Sequence, residues 1–185
     1  LHRNVPLLVV LMILATSVPL RAYAIDEVRI GVLGKLGPEQ TLEHWALLDD
    51  YLSERTQRAV HIRALGFDEL PKAVAAEEID FVISNPSIYA VIEKRYGVTR
   101  IATMKNRVGD RVLSSFGGVI FTRAERNDLA AIADLKDHTV MAVDPTSLGG
   151  YLLALREFRR AGLDPKRDFR RLSFAGTHDK VVVEV

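Results

Sequence analysis

Apolar residues recur along this chain in two alternating periods, and the alternation predicts its elements. Val28 to Leu33 (VRIGVL) reads as a strand, followed by a glycine-containing loop from Gly34 to Pro38. Leu42, Trp45, Leu48 and Leu52 then return at helical spacing and predict a helix over 40–55, with Trp45 in the core. Glu39 and Glu43 fall early and Arg55 late, as the helix dipole prefers. Val60 to Leu65 is a second strand. Asp68 is expected to cap a helix that tolerates Pro71 in its first turn and turns Leu70 and Val74 inward. Asp80 to Ser84 is a third strand and runs straight into Asn85-Pro86-Ser87. Ser87 is expected to cap a helix whose buried stripe is Ile88, Val91, Ile92 and Tyr96, with Gly97 as its stop. Thr99 to Met104 is expected to be a fourth strand.

Three strand-helix cycles in succession imply a parallel sheet covered by helices, because parallel neighbours need a crossover; the class is α/β. The rhythm then changes. Asn106 to Ser115 is polar and poorly periodic, and the strand expected at Gly117 to Thr122 has no crossover helix before it. This marks passage between two lobes, residues 25–111 and 112–185. The second contains a short helix or turn around Asp128 to Leu135 and a strand at Thr139 to Val143. A helix with Leu148, Leu152, Leu155 and Phe158 at helical spacing ends near Arg159, with Gly162 beyond. A strand at Arg171 to Phe174 follows, and then the start of a helix at Gly176-Thr177-His178-Asp179. Val181, Val182 and Val185 give that last helix an apolar face with nothing after it to cover, so the second lobe is expected to be incomplete in this sequence.

The first residues change the compartment. Arg3, an apolar run from Val5 to Val18, Pro19 and the small-residue end Ala22-Tyr23-Ala24 form the pattern of a secretory signal peptide, residues 1–24, cleaved after Ala24. No later apolar run approaches bilayer length. The sequence has no cysteine, so neither a disulfide nor a lipid-modified cysteine holds it. With 25 Lys and Arg against 24 Asp and Glu, no global field attracts nucleic acid or an anionic membrane, and charge selectivity has to come from a local site.

Two strand-turn-helix junctions offer such a site. Ser84-Asn85-Pro86-Ser87-Ile88-Tyr89 and Asp144-Pro145-Thr146-Ser147-Leu148-Gly149-Gly150 each end a strand in a proline turn, supply hydroxyls and begin a helix. Thr146 or Ser147 can cap the second helix, and Gly149 and Gly150 let backbone approach a ligand without a Cβ in the way. Helix starts point unpaired N–H groups at one spot, which suits an oxyanion, and ligands of open α/β sheets sit beyond the carboxyl ends of the strands. Either loop can equally be an ordinary turn. Asp144 fits an Asx turn better than a ligand contact, and Lys35 is a further candidate beside the first strand.

The stretches IGVLG, the Trp45 helix with DDYL, DFVISNPSIYAVIEKRYGVTRIAT, FGGVIFTR, DLKDHTVMAVDPTSLGGY and FAGTHDKVV resemble the periplasmic solute-binding proteins of phosphate and phosphonate type. They are most similar to the branch that serves as sensory input domains of membrane-bound histidine kinases, including tetrathionate sensors. The resemblance implies a two-lobed fold of the type II periplasmic-binding kind, closing on a hinge around a small oxyanion. It also implies ligand contacts from Asn85, Ser87 and Tyr89 in one lobe and from Ser147, Gly149, Gly150, Thr177 and His178 in the other. The implied partner is either a membrane signalling module or the permease of an importer, and a bound histidine would make affinity respond to pH.

Catalysis is not expected. Ser147, His178 and Asp179 include the residue types of a hydrolase triad, but no nucleophile elbow is present, and adjacent His and Asp cannot orient as a triad needs. The five histidines are scattered and give no metal-ligand spacing. The loop GKLGPEQ lacks the third glycine of a dinucleotide fingerprint, and Thr146 to Gly150 lacks the lysine of a P-loop. Neither cofactor nor metal is expected.

Overall fold

Strand β1 (Glu27–Leu33) lies at the centre of a three-stranded parallel sheet, between β2 (Ala59–Leu65) and β3 (Phe81–Ile83). The computed structural model describes residues 27–185, so the signal segment read in the sequence lies outside the described residues. Helix α1 (Pro38–Thr56) crosses from β1 to β2, and α2 (Glu69–Ala75) from β2 to β3; α3 (Pro86–Tyr96) follows β3.

Alternation along β1 divides the core. Ile30 and Val32 face α1 and pack with Val60, Trp45 and Leu52. Leu33 points the other way, into a cluster with Leu65, Phe67, Leu70, Ile79, Ile88 and Ile92. Each such side chain, fully buried, contributes about 1.5 to 3 kcal/mol. Gly31 leaves room for the Ile79 side chain: a Cβ at that position would lie 2.6 Å from Ile79 Cδ1, which would have to turn aside.

Polar contacts fix the same sheet. The guanidinium of Arg29 donates through Nε and Nη2 to the two carboxylate oxygens of Asp80, at 3.1 and 2.9 Å, and the Arg29 backbone N–H donates to Asp80 Oδ2 at 2.8 Å. Asp80 N–H returns a bond to the Arg29 carbonyl, so β1 and the entry to β3 are clamped. At the outer edge of β2, Val60 N–H donates to Ser53 Oγ and Ile62 N–H to Asp49 Oδ2, both from α1.

The chain beyond α3 departs from its expected periodicity. The strands expected at Thr99–Met104 and Gly117–Thr122 do not form; both stretches are largely exposed and join no ladder among the described residues. The polar stretch between them folds instead as an antiparallel hairpin of β4 (Asn106–Val108) and β5 (Arg111–Leu113), turning at Gly109, whose φ is 57°. The expected helix or turn near Asp128 is a 3₁₀ turn at Ile132–Leu135.

A second parallel pair, β6 (Thr139–Ala142) and β7 (Arg171–Phe174), is joined by a π-type turn (Leu148–Leu152), α4 (Leu153–Arg160) and the short α5 (Pro165–Asp168). One face carries Val140 and Leu172 into a core with Phe158, Leu163 and Phe169; Phe158 and Phe169 meet edge to face at 5.1 Å. The opposite face sends Met141 and Val143 into the first sheet's cluster. Val181 of the last helix, α6 (His178–Glu184), joins them there. The two sheets therefore share one apolar seam.

Candidate functional site

Both strand-turn-helix junctions exist, and they meet. In the first, Asn85 rather than Ser87 is the helix cap: its Oδ1 accepts from Ile88 N–H at 3.0 Å, and Pro86 occupies the first helical position, where no N–H is needed. Ser87 Oγ lies 2.7 Å from Asn85 Oδ1 and 2.5 Å from the carbonyl oxygen of Thr146 in the second junction. Asp68 likewise makes no capping bond in α2; Glu69, the first helical residue, reaches back to accept from Gly66 N–H ahead of the helix at 2.8 Å.

The second junction is more tightly built. Asp144 Oδ1 accepts from Thr146 N–H at 2.7 Å and from the Thr146 hydroxyl at 2.6 Å, an Asx turn. Ser147 is 2 % exposed, and its Oγ accepts from Gly150 N–H at 3.1 Å. The Ser147 carbonyl accepts from both Tyr151 and Leu152, which opens the helix with a π-type turn, while Gly150 turns its own carbonyl back to Val143 N–H at 3.2 Å. Neither Gly149 nor Gly150 has a positive φ. Gly150 is needed for space, since a Cβ there would lie 2.4 Å from Val143 Cγ2; one on Gly149 would lie 3.1 Å from the exposed Phe116 ring, which has only to give slightly.

An open cavity of about 2350 Å³ runs along both sheets, well above the roughly 300 to 1,000 Å³ of a small-molecule pocket, and its borders include Lys35, Asn85, Tyr89, Ser147, Gly149, Gly150 and His178. Ser87 and Thr177 are not on its wall: Ser87 is engaged as above, and Thr177 caps α6, accepting from Lys180 N–H at 3.4 Å. The Tyr89 hydroxyl donates to Glu93 one turn along, and that bond is the main cause of its raised pKa. His178 donates its backbone N–H to the Lys35 carbonyl at 3.1 Å. Burial lowers the pKa of its imidazole, neighbouring Lys35 lowers it further, and Asp179 opposes both.

The sequence reading passed over Phe116 and Tyr151, which also line this cavity. The Phe116-Gly117-Gly118 segment runs across Gly149, close enough that a Cβ on Gly118 would lie 2.6 Å from the Gly149 carbonyl oxygen. The signal was the double glycine in FGGVIFTR, which was assigned to a strand. Tyr151 stands edge to face against Phe174 at 5.1 Å.

Among the described residues no group of His, Cys, Asp and Glu is placed to hold a metal ion, and no helix is long and apolar enough to cross a membrane. The fold is that of a type II periplasmic binding protein, two parallel α/β units that share a seam. Residues 30–185 match the family described as the phosphonate periplasmic substrate-binding proteins of ABC transporters, and the chain belongs to that family. Over 149 residues it is 34% identical to the tetrathionate sensor histidine kinase TtrS of Salmonella typhimurium, covering 80% of this chain and 25% of that protein. Its fold is similar to that of PhnD1 from Prochlorococcus marinus, solved in complex with methylphosphonate, with a TM-score of 0.58 at 14% identity, over 85% of this chain and 58% of that one. The chain thus spans about a quarter of its curated relative and somewhat over half of the solved structure.

Proposed function

We propose that this chain is the ligand-binding region of an exported receptor for a small oxyanion, with lobes at residues 25–111 and 112–185, and that it serves as the sensory input of a membrane signalling protein. The ligand class is phosphonate, phosphate or a sulfur oxyanion. One observation carries the reading. Ser147 lines the cavity at the start of the π-turn and accepts from Gly150, and among the described residues its hydroxyl donates to no protein acceptor. A buried hydroxyl with a proton to give, beside the N–H groups of a helix start, is a donor set for an anionic oxygen. Asn85, Tyr89, Gly149, Gly150 and His178 line the same cavity and are the remaining candidate contacts.

Kinship with a sensor kinase supports the signalling role, and the family description supports the alternative, a free binding protein that delivers its ligand to an importer permease. In either role the ligand acts by binding the closed arrangement of lobes better than the open one. A transmembrane helix and kinase module encoded downstream of Val185 would mark the sensor, and an early stop the free binding protein.

The test is calorimetric titration of the intact protein with methylphosphonate, phosphate, sulfite, thiosulfate and tetrathionate. A hydrogen bond to a charged group is worth about 1.5 to 3 kcal/mol, so Ser147→Ala is expected to weaken the preferred ligand roughly ten- to a hundredfold. Unchanged affinity in a folded Ser147→Ala protein would place the ligand elsewhere.

A further inference from the structure

The loops leaving the carboxyl ends of β1, β3, β6 and β7 begin alike, with Lys35, Asn85, Asp144 and Gly176 each two positions beyond its strand. A run of hydrogen bonds ties three of these loops together. His178 N–H donates to the Lys35 carbonyl at 3.1 Å, Gly176 N–H to the Val143 carbonyl at 2.7 Å, and Val143 N–H to the Gly150 carbonyl at 3.2 Å; Gly150 N–H then reaches Ser147 Oγ at 3.1 Å. Lys35 therefore belongs to the same junction as the buried Ser147 hydroxyl, at the end of the sheets where ligands of open α/β folds sit.

The groups gathered there differ in charge. Ser147 and the helix-start N–H groups are neutral donors. The Tyr89 hydroxyl is committed to Glu93, and Arg100 and Glu93 act on that phenol with opposite sign. Burial and the charge of Lys35 both favour the neutral form of the His178 imidazole. Two carboxylates lie on the same loops: Asp144, whose Oδ1 takes both donors of Thr146, and Asp179 in the first turn of α6. Lys35 is exposed on the border of the cavity and, among the described residues, makes no ion pair.

We propose that Lys35 supplies the positive charge of this site and makes it selective for doubly charged oxyanions over singly charged ones of the same shape. The inference deepens the oxyanion reading above and rests on it. Neutral N–H and O–H donors match the shape of an oxyanion, whereas a full charge on the protein separates one ligand charge from two, because Coulomb attraction scales with the product of the charges. Without Lys35, Asp144 and Asp179 leave these loops net negative and oppose a dianion about twice as strongly as a monoanion. An exposed ammonium is screened, so the selectivity weakens as salt rises.

Methylphosphonate and methanesulfonate have nearly one shape and differ by one charge at mildly alkaline pH, so calorimetric titration of the intact protein with the pair reads the selectivity. Wild type is expected to prefer methylphosphonate by about tenfold or more. Lys35→Met should reduce that preference about three- to tenfold, Lys35→Arg should keep it, and Lys166→Met, at an exposed position on α5, should leave it unchanged. Added salt should erode the wild-type preference and leave that of Lys35→Met nearly flat. With thiosulfate or tetrathionate as the ligand, the same flattening of the salt dependence is expected. Thermal melts show that each variant is folded. A preference or salt dependence unchanged in folded Lys35→Met, or a loss equal for both members of the pair, overturns the role of Lys35; the oxyanion reading then still stands if Ser147→Ala weakens binding. Wild-type protein that binds none of these anions overturns the oxyanion reading and this inference with it.

Discussion

Gly150 and Val143 approach so closely that no side chain fits between them: a Cβ on Gly150 would lie 2.4 Å from Val143 Cγ2 and 2.6 Å from Val143 Cβ. Val143 is itself buried in the seam between the sheets and cannot yield without disturbing Ile88 and Val181. Gly150→Ala is therefore expected to cost about 1 to 3 kcal/mol through overpacking. Gly149→Ala meets only the edge of the Phe116 ring and should cost less. Denaturant titration of the two variants checks the order.

Asn85 Oδ1 accepts from Ile88 N–H at 3.0 Å and so caps α3, with the Ser87 hydroxyl also within reach. Asn85→Ala should lose about 1 kcal/mol of stability as a missing cap, and Asn85→Ser, a comparable capping residue, should recover most of it. Thermal melts of the pair separate this capping role from any effect on ligand affinity.

Tyr89 has its hydroxyl committed to Glu93. If the phenol makes no bond to the ligand, Tyr89→Phe should leave oxyanion affinity within about twofold of wild type, whereas a charged bond would cost roughly tenfold or more. The same calorimetric titration reads the difference.

A histidine and a set of aspartates make stability depend on pH in separate windows. The imidazole of His178 has a pKa below its ordinary 6.5, so the folded state binds fewer protons than the unfolded one; its contribution is full above pH 6.5 and is lost as pH falls from there through the lowered value. Asp80, hydrogen-bonded by Arg29, has a carboxyl pKa below 3.8; its contribution is present above that value and is lost as pH falls through the lowered one. Asp128 and Asp168, held down in the same way by Arg126 and Arg167, share the acid window, so melting temperature measured from pH 8 to pH 3 should decline in two stages, with His178→Gln removing the first and Asp80→Asn reducing the second without abolishing it.

Processing gives a further expectation. The apolar run ending in Ala22-Tyr23-Ala24 predicts that protein recovered from the periplasm begins at Ile25, which mass spectrometry reads directly. Recovery only from membranes with the run intact would mean an anchor instead.

The elements that could be read from the sequence were those whose apolar residues are buried by near neighbours. β1, β2, β6 and β7 formed within a residue or two of their expected bounds, because each covers a face formed close by in the chain. The helix stripes held only in part: Ile88 and Ile92 of α3 are buried, while Val91 and Tyr96, expected beside them, are exposed, as is Leu42 at the start of α1. Thr99–Met104 and Gly117–Thr122 have the composition of strands, yet Ile101 and Val119 are 79 % and 78 % exposed. Strand propensity expresses itself only where a partner supplies the ladder, and none pairs with them among the described residues. At the site, residue types indicated the two helix starts, while division of labour did not show in them. Asn85 capping Ile88 and Tyr89 turning to Glu93 are local pairs at helical spacing, whereas the meeting of Ser87 with Thr146 joins groups 59 residues apart, a spacing with no local sequence signature.

The bonds from Ser53 and Asp49 to the N–H groups of Val60 and Ile62 have a consequence for the molecule before it reaches its place of work. A strand at the rim of a parallel sheet offers a ready template for any extended polypeptide that the chain meets while it folds. Here the first crossover helix fills that template from within, so registry errors with strangers are resisted by the same two side chains that dock α1. Replacing Ser53 and Asp49 together with alanine should leave oxyanion recognition intact and appear instead as thioflavin-positive aggregation during refolding.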